Sequence, residues 1–375
     1  MRIGIDYTAA LSQGAGIGRY TRELVGHILQ ADPKNTYLLV KARGLPEPTS
    51  LPPNATICTL PMNERFMAVL WHRARVPLPL ELFTGTINLF HSPDFVLPPL
   101  RCRHTIVTIH DMSFLVMPEC ALPSLVRYLT GSVPRAVLRA DVVVAVSHST
   151  KADLVQLLGV NEDKVVVGKE GVGDDFSPVT DEVLLQQARA TYVGADPFIL
   201  NVGTLEPRKN QARLIQAYHQ LIQENGIPHR LAIVGRRGWL YENVFAMVER
   251  LQLKERVLFL GHVPDQDLPA LYSLADIFVY PSLYEGFGMP PLEAMACGTP
   301  VVASNVSSLP EVLGDAALLV DPTNVTELAQ AMFQALTDQA TRQALIAKGF
   351  ERAKKFTWVE AAQQMLGLYH QVGGG

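Results

Sequence analysis

Two glutamates stand eight residues apart in Tyr284-Glu285-Gly286-Phe287-Gly288-Met289-Pro290-Pro291-Leu292-Glu293-Ala294. The glycine-rich turn between them leads from an apolar run into a stretch of helix formers. Such a turn leaves backbone N–H groups free at a helix N-terminus, where phosphate binds well. A phosphate needs no carboxylate and would be repelled by one placed on it. Glu285 and Glu293 therefore read as acceptors for hydroxyl groups on either side of an anion, such as those of a sugar and a ribose. An ordinary strand-turn-helix corner with two surface glutamates would show the same letters, since one Gly-x-Gly turn is weak evidence alone.

A second group supplies the missing charge. Gly203-Thr204-Leu205-Glu206-Pro207-Arg208-Lys209-Asn210 follows another apolar run. Arg208 and Lys209 fall in a helix first turn, an electrostatically poor place for cations, so they call for an anion. A diphosphate suits them. Each cation ~4 Å from a phosphate gains about 4 kcal/mol at an effective dielectric of ~20, against about 0.3–1 from a helix N-terminus. The side-chain cations should dominate leaving-group stabilisation.

Near the N-terminus, Gly14-Ala15-Gly16-Ile17-Gly18 precedes a helix expected to begin near Arg19-Tyr20-Thr21. This is not the Gly-x-Gly-x-x-Gly dinucleotide fingerprint, and no strand-end acid follows about 20 residues on, which disfavours nicotinamide or flavin. The glycines could admit a phosphate or sugar, or serve only close helix-strand packing. His110-Asp111, Ser147-His148 and His91 each close an apolar run. Ser147 could equally cap the following helix, and His110 could be a hydrogen-bonded structural histidine.

These groups need strands to hold them. In the first half the apolar runs are Ile3 to Tyr7, Tyr37 to Lys41, Thr56 to Leu60, Leu89 to His91, Thr105 to Ile109, Val142 to Val146 and Lys164 to Val167. In the second half they are Phe198 to Val202, Leu231 to Val234, Val257 to Leu260, Ile277 to Tyr280, Pro300 to Ala303 and Ala317 to Val320. Helical stretches alternate with them, so both halves are α/β with parallel sheets, and ligands should bind beyond the carboxyl ends of the strands. A linker at Gly171 to Pro197 carries its own helix, Asp181 to Tyr192. The expected division is residues 1–175, 176–355 and a terminal helix in 356–375.

Composition narrows the class. Charged residues make up 18% and hydrophobic ones 48% of 375 residues, with a formal net charge of −4, which argues against a nucleic-acid partner. No apolar run reaches the ~18–20 residues of a membrane span. Cys58, Cys102, Cys120 and Cys297 show no metal-ligand spacing and read as reduced packing residues. A cytoplasmic location is the expectation. Phe66 to Pro77 mixes aromatic, aliphatic and basic residues at helical spacing. It is either a domain helix with a solvated basic edge or a contact for an anionic membrane surface or lipid-linked substrate.

With these residues placed, the chain resembles the retaining glycosyltransferases of family 4 along nearly its whole length. Glu285 to Glu293 is similar to that family's Glu-x7-Glu element. Val202 to Asn210, Thr108-Ile109-His110-Asp111 and the ending Phe356-Thr357-Trp358-Val359-Glu360-Ala361-Ala362 fit as well. The resemblance implies a GT-B fold: two Rossmann-like domains facing across a cleft, an N-terminal acceptor domain and a C-terminal nucleotide-sugar domain, with the last helix crossing back. It implies that Arg208 and Lys209 hold the donor diphosphate with Gly16, Gly203 and Thr204 nearby. Glu285 and the Gly286, Phe287, Gly288 and Met289 backbone would meet the transferred sugar, Glu293 the ribose, and His110 the sugar near its reacting carbon, with domain closure bringing His110 toward Glu285. Gly14, Ile17, Arg19, Tyr20, Asp111 and Ser147 would lie along the acceptor. Thr204 stands where many members have arginine, and Lys169-Glu170-Gly171-Val172 replaces a more usual Asn-Gly-Val.

The expected reaction moves a hexose, mannose first, from GDP-mannose to a hydroxyl of a glycan, lipid-linked or small-molecule acceptor, with retention and no metal or other cofactor. UDP- or dTDP-sugars, or a GT-B-fold sugar-nucleotide epimerase, are the alternatives. A lipid-linked acceptor would put the enzyme at the inner membrane face.

Overall fold

The computed structural model describes residues 1–14, 16–48 and 50–374. Ala15, within the expected 14–18 turn, and Gly375, at the end of the expected terminal segment, lie outside the described residues. The chain forms two compact units: residues 1–118, 123–171 and 357–375 make the first, and residues 119–122 and 172–356 the second.

In the first unit, β1 (Arg2–Asp6), β2 (Thr36–Lys41), β3 (Ala55–Thr59), β4 (Leu89–Ser92), β5 (His104–Ile109), β6 (Val142–Ala145) and β7 (Val165–Val167) form one parallel sheet. Its order is β3-β2-β1-β4-β5-β6-β7, with Ile3 opposite Tyr37 on one side and Leu89 on the other. Ile3, Ile5, Val107, Ile109 and Val143 are fully buried, as expected of strands covered on both faces. The terminal helix Trp358–Gly373 packs on the helix Gly16–Ala31, where the Trp358 and Tyr20 rings meet edge-on at 5.8 Å. Its Thr357 cap accepts from Glu360 N at 3.2 Å, and Tyr369 OH lies 2.7 Å from His91 Nδ1.

In the second unit, β8 (Phe198–Val202), β9 (Arg230–Val234), β10 (Val257–Gly261), β11 (Ile277–Tyr280), β12 (Val301–Ser304) and β13 (Ala317–Val320) form a parallel sheet in the order β10-β9-β8-β11-β12-β13. Counted within the unit, the order is third, second, first, fourth, fifth, sixth. The direction of winding therefore reverses between β8 and β11, and loops leaving that pair diverge to open a ligand crevice.

Every strand expected from the sequence is present, displaced by a residue or two at most. The helices depart more. A short helix, Thr8–Ser12, separates β1 from the glycines, and the next helix begins at Gly16, not near Arg19. A Cβ on Gly18 would lie 1.9 Å from Gln13 O, so this glycine is there for close packing against the preceding turn. The helix at the Glu-x7-Glu element starts at Met289 because Pro290 and Pro291 sit in its first turn, where no intrahelical N–H is needed. In the linker, Asp181 caps Glu182–Ala188 through Val183 N at 2.8 Å, and a π-helical turn, Arg189–Val193, ends it.

Candidate active site

β8 and β11 are neighbours in register, Phe278 beside Leu200, so the segments that leave their carboxyl ends start side by side. The two segments are tied together by main chain: Leu283 N donates to Arg208 O at 2.8 Å. Asn210 fixes the second tie. Its backbone is left-handed (φ +61), and its Nδ2 donates to Pro281 O at 2.9 Å and Pro322 O at 2.8 Å. Asparagine tolerates that conformation better than most residues, which accounts for its place after Lys209.

The charges interlock across these segments. Lys209 Nζ lies 2.6 Å from Glu285 Oε1, and Arg208 Nη1 lies 2.9 Å from Glu285 Oε2. Arg208 Nη2 reaches Glu206 Oε1 at 2.8 Å, and Arg208 Nη1 also donates to Tyr284 O at 2.7 Å. Glu285 is only 6% exposed. Burial alone would raise its pKa, but Arg208 and then Lys209 overcome it and hold the carboxyl down at about 2. Tyr280 OH accepts from Lys209 Nζ at 2.8 Å, and burial together with the Glu285 charge keeps that phenol protonated. The anion that the cations call for is thus present in the protein itself. Among the described residues Lys209 Nζ has two hydrogen-bond partners, Tyr280 and Glu285, and an ammonium has three N–H bonds to give.

The turn after Glu285 is held from below by two serines. Glu285 N donates to Ser307 Oγ at 2.8 Å, and Ser308 Oγ donates to Glu285 O at 3.0 Å and Phe287 O at 2.9 Å. Gly286, Phe287 and Gly288 are buried, while Met289 is partly open. Phe287 points its ring at Phe356, centroids 5.7 Å apart, so its side chain is packing and its backbone is what faces the turn. Gly288 has φ +102, and a Cβ there would lie 2.7 Å from Leu309 Cδ2. Glu293, 3% exposed, accepts from Tyr272 OH at 3.0 Å. Gly203 and Thr204 close β8 and are half-buried, with Gln211 Nε2 donating to Thr204 O at 3.1 Å.

In the first unit the expected residues divide. His110 Nε2 lies 2.7 Å from Pro93 O, a pure acceptor, so that nitrogen carries the proton. Burial lowers the His110 pKa despite the Pro93 bond and Asp111. Tyr20 is 1% exposed, and its ring meets His110 edge-on at 4.8 Å and Trp358 at 5.8 Å, so it packs against His110. Ser147 is spent as the cap of the helix His148–Leu158, accepting from Thr150 N at 3.0 Å. Asp111 accepts from Ser113 N at 2.9 Å and from Ser113 Oγ at 2.6 Å. Gly14 and Gly16 are exposed, and Ile17 and Arg19 are half-buried. His91 is fully buried between Tyr369 and Thr108 Oγ1, which is 3.0 Å from its Nε2, so it is structural. All four cysteines are free. Among the described residues, no group of three or more His, Cys, Asp or Glu is placed to hold a metal ion.

Comparison with known proteins settles the family. Residues 14–176 match the description Glycosyltransferase Family 4, and residues 187–352 match Glycosyl transferases group 1. The chain is 34% identical to O-antigen chain mannosyltransferase B of Escherichia coli, over 94% of this chain and 95% of that one. It belongs to the family 4 glycosyltransferases. As such it is a hexosyltransferase that resembles mannosyltransferases. Serotype-specific mannosyltransferase WbdA of the same species is 36% identical over 60% of this chain but only 28% of its own length. Sucrose-phosphate synthase from Thermosynechococcus elongatus superposes with a TM-score of 0.78 at 23% identity, over 99% of this chain and 98% of that one, which confirms the GT-B fold.

Several residues that shape this glycosyltransferase were not singled out from sequence. Gly235 has φ +155, and a Cβ there would lie 1.9 Å from Gly203 O; a Cβ on Gly238 would lie 2.7 Å from Thr204 Cγ2. The Gly235-Arg236-Arg237-Gly238 spacing was a usable signal. In the first unit Asp6 ends β1, and Asp94 follows β4, on the two sides of that sheet's own winding reversal. Burial, then the Asp6 charge, pushes the Asp94 carboxyl up to about 7.

Proposed function

We propose that this enzyme is a retaining mannosyltransferase that moves mannose from GDP-mannose to a hydroxyl of a growing glycan and requires no divalent cation. The observation that carries the reading is the charge cluster at the β8–β11 reversal, where Arg208 and Lys209 both converge on Glu285 at the start of a glycine turn. The relatives named as O-antigen and serotype-specific mannosyltransferases support the sugar and the polysaccharide product.

In this reading the donor diphosphate takes the remaining Lys209 N–H and lies along the Gly286 to Met289 backbone, with Gly203, Thr204 and Gly16 at its edge. The bond from the anomeric carbon to the diphosphate oxygen breaks as charge builds on GDP. The acceptor oxygen then bonds to the same face of that carbon and gives its proton to a phosphate oxygen. Donors fixed by the fold stabilise the developing charge without reorganising, which is electrostatic preorganisation. Glu285, ionised at any working pH, keeps both cations aimed and accepts a hydroxyl of the sugar. Glu293 takes the ribose, and His110, its ring fixed by Pro93, faces the sugar. Gly14, Ile17, Arg19 and Asp111 are the acceptor side. A lipid-linked acceptor would bring the enzyme to the inner membrane face, with residues 66–77 as the contact.

Transfer from GDP-mannose should survive EDTA at the full wild-type rate. Activity lost in EDTA and restored by Mg²⁺ would overturn the metal-free reading. Equal transfer from UDP-glucose would overturn the donor.

A further inference from the structure

Asp6 closes β1 and Asp94 follows β4, the two strands between which the first sheet reverses its winding. Loops that leave such a pair open a ligand crevice. Both aspartates are half-buried, and among the described residues neither pairs with a cation. Thr8 N donates to Asp6 Oδ1 at 3.0 Å, and Gln13 Nε2 donates to Asp94 Oδ2 at 3.3 Å. A carboxylate can accept about four hydrogen bonds, so most of that capacity is unspent. Burial, then the charge of Asp6, raises the Asp94 pKa, so the two groups feel each other. Holding two like charges together without a counter-ion costs stability.

A third polar group points into the same place. Thr8 is 9% exposed, and its Oγ1 is buried with no hydrogen-bond partner. Burial raises the Asp6 pKa against the opposing Thr8 N–H and Thr8 hydroxyl, so that hydroxyl lies beside the carboxylate. The turn that carries Asp94 is built around His110. Pro93 O holds His110 Nε2 at 2.7 Å, and the Phe95 ring meets the His110 ring edge-on at 5.7 Å. Residues on both sides of Asp94 thus grip one imidazole. Phe95 has φ +25, a left-handed backbone that a bulky side chain rarely adopts. Ser92 Oγ and Val96 N both donate to Asp94 O and fix that turn.

Resting on the transfer to a glycan hydroxyl set out above, we propose that Asp94 and Asp6 bind two neighbouring hydroxyl groups of the acceptor sugar and hold them in register with His110. A sugar hydroxyl both donates and accepts. It gives its O–H to a carboxylate oxygen and accepts from the Thr8 hydroxyl or the second N–H of Gln13 Nε2. A phosphate is repelled by both aspartates, and by Glu64, whose charge also reaches Asp94. A divalent cation is the other ligand that paired carboxylates attract, but it takes about six to eight oxygen ligands. The Gln13 amide presents N–H groups there, which a cation repels and a hydroxyl accepts.

The test is a saturation-transfer NMR titration of the full-length protein with methyl α-D-mannopyranoside, without any nucleotide. Asp94→Asn and Thr8→Val should each bind this probe at least ten-fold more weakly than wild type, while their affinity for GDP stays the same. Asp94→Asn removes a like-charge repulsion and Thr8→Val an orphaned hydroxyl. Both should therefore melt at or above the wild-type temperature, which separates lost binding from a lost fold. Deoxygenated probes read the contact directly. In wild type, removing one of two neighbouring hydroxyls should weaken binding at least ten-fold, whereas Asp94→Asn should bind the two probes alike. No saturation transfer to the mannoside in wild type, or variants that bind it as tightly, would overturn the site. Binding of Mg²⁺ that Asp94→Asn abolishes, with no sugar signal, would make the pair a cation site instead. A wild type that binds the mannoside and not GDP would overturn the donor reading alone.

Discussion

Lys209 Nζ sits 2.6 Å from Glu285 Oε1, and that contact joins the segments leaving β8 and β11. It changes the electrostatic problem of donor binding. Two cations and two carboxylates, Glu206 and Glu285, form a formally neutral set, so a diphosphate is not drawn to bare charge. In the proposed reaction it takes the remaining Lys209 N–H, in competition with the Glu285 charge for the field of the same cations. The glutamate is then both a holder of the cations and a brake on product retention.

That competition predicts opposite effects on binding and turnover. Glu285→Gln should tighten GDP by about ten-fold, equivalent to about 1.4 kcal/mol, because the competing charge is gone. The same change should lower kcat by roughly 100-fold, since the cations lose their fixed aim in the transition state. Isothermal titration with GDP beside steady-state kinetics reads both. Weaker GDP binding by the variant would show that Glu285 assists the diphosphate directly.

Lys209→Ala tests the other partner. Losing one preorganised donor to the leaving group should cut kcat by about 100-fold or more, with a smaller change in KM for GDP-mannose. Turnover within a factor of three of wild type, in a variant with an unchanged melt, would remove Lys209 from leaving-group stabilisation.

Much of this was legible in advance because the fold writes itself strongly. Buried parallel strands read as unbroken apolar runs, so even the three-residue β7 was found from Val165, Val166 and Val167. The strand-end segments whose Arg208, Lys209 and Glu285 side chains meet were picked out by glycine and charge. What the letters hid was pairing. Nothing in the one-dimensional order says that Glu285 would take up the charge of Arg208 and Lys209, since the two segments meet only through the β8–β11 neighbourhood. The helix start was hidden too: it falls at Gly16 and not near Arg19, and the Tyr20 ring meets His110 and Trp358. Backbone close approach is equally silent, which is why Gly235 went unnoticed.

A pH dependence follows from Glu170. It is 3% exposed, and burial alone pushes its pKa up to about 8 from an ordinary value of 4.5. A folded pKa above the unfolded one means the native state holds the proton more tightly. Stability from this group is complete below about 4.5 and is lost as pH rises through 8. The loss is roughly 1.4 kcal/mol per pH unit within that window. Glu170→Gln should therefore melt higher than wild type at pH 9, and the difference should shrink steadily toward pH 4. A gap that does not vary with pH would mean that Glu170 is ionised in the native state.

Gly235 offers a test of how far the donor loop depends on backbone fit. Its φ of +155 is open to glycine almost alone, and a Cβ would lie 1.9 Å from Gly203 O and 2.6 Å from Gly203 C. Backbone cannot swing aside as a flexible side chain can, so the strand-end segment carrying Gly203 and Thr204 must move. That segment also accepts Gln211 Nε2 at Thr204 O and hands the chain on to Arg208 and Lys209. Gly235→Ala should cost about 2–4 kcal/mol of stability from strain and lost fit. It should raise KM for GDP-mannose by about ten-fold through displacement of the cations. Thermal melts and kinetics on the same preparation separate the two effects. Gly226, also at positive φ (+62) but with nothing within 4 Å of a Cβ, supplies the control. Gly226→Ala should lose about 1 kcal/mol and leave KM unchanged. If both alanines lowered stability equally with no effect on KM, the close approach of Gly235 to Gly203 would have no part in donor binding.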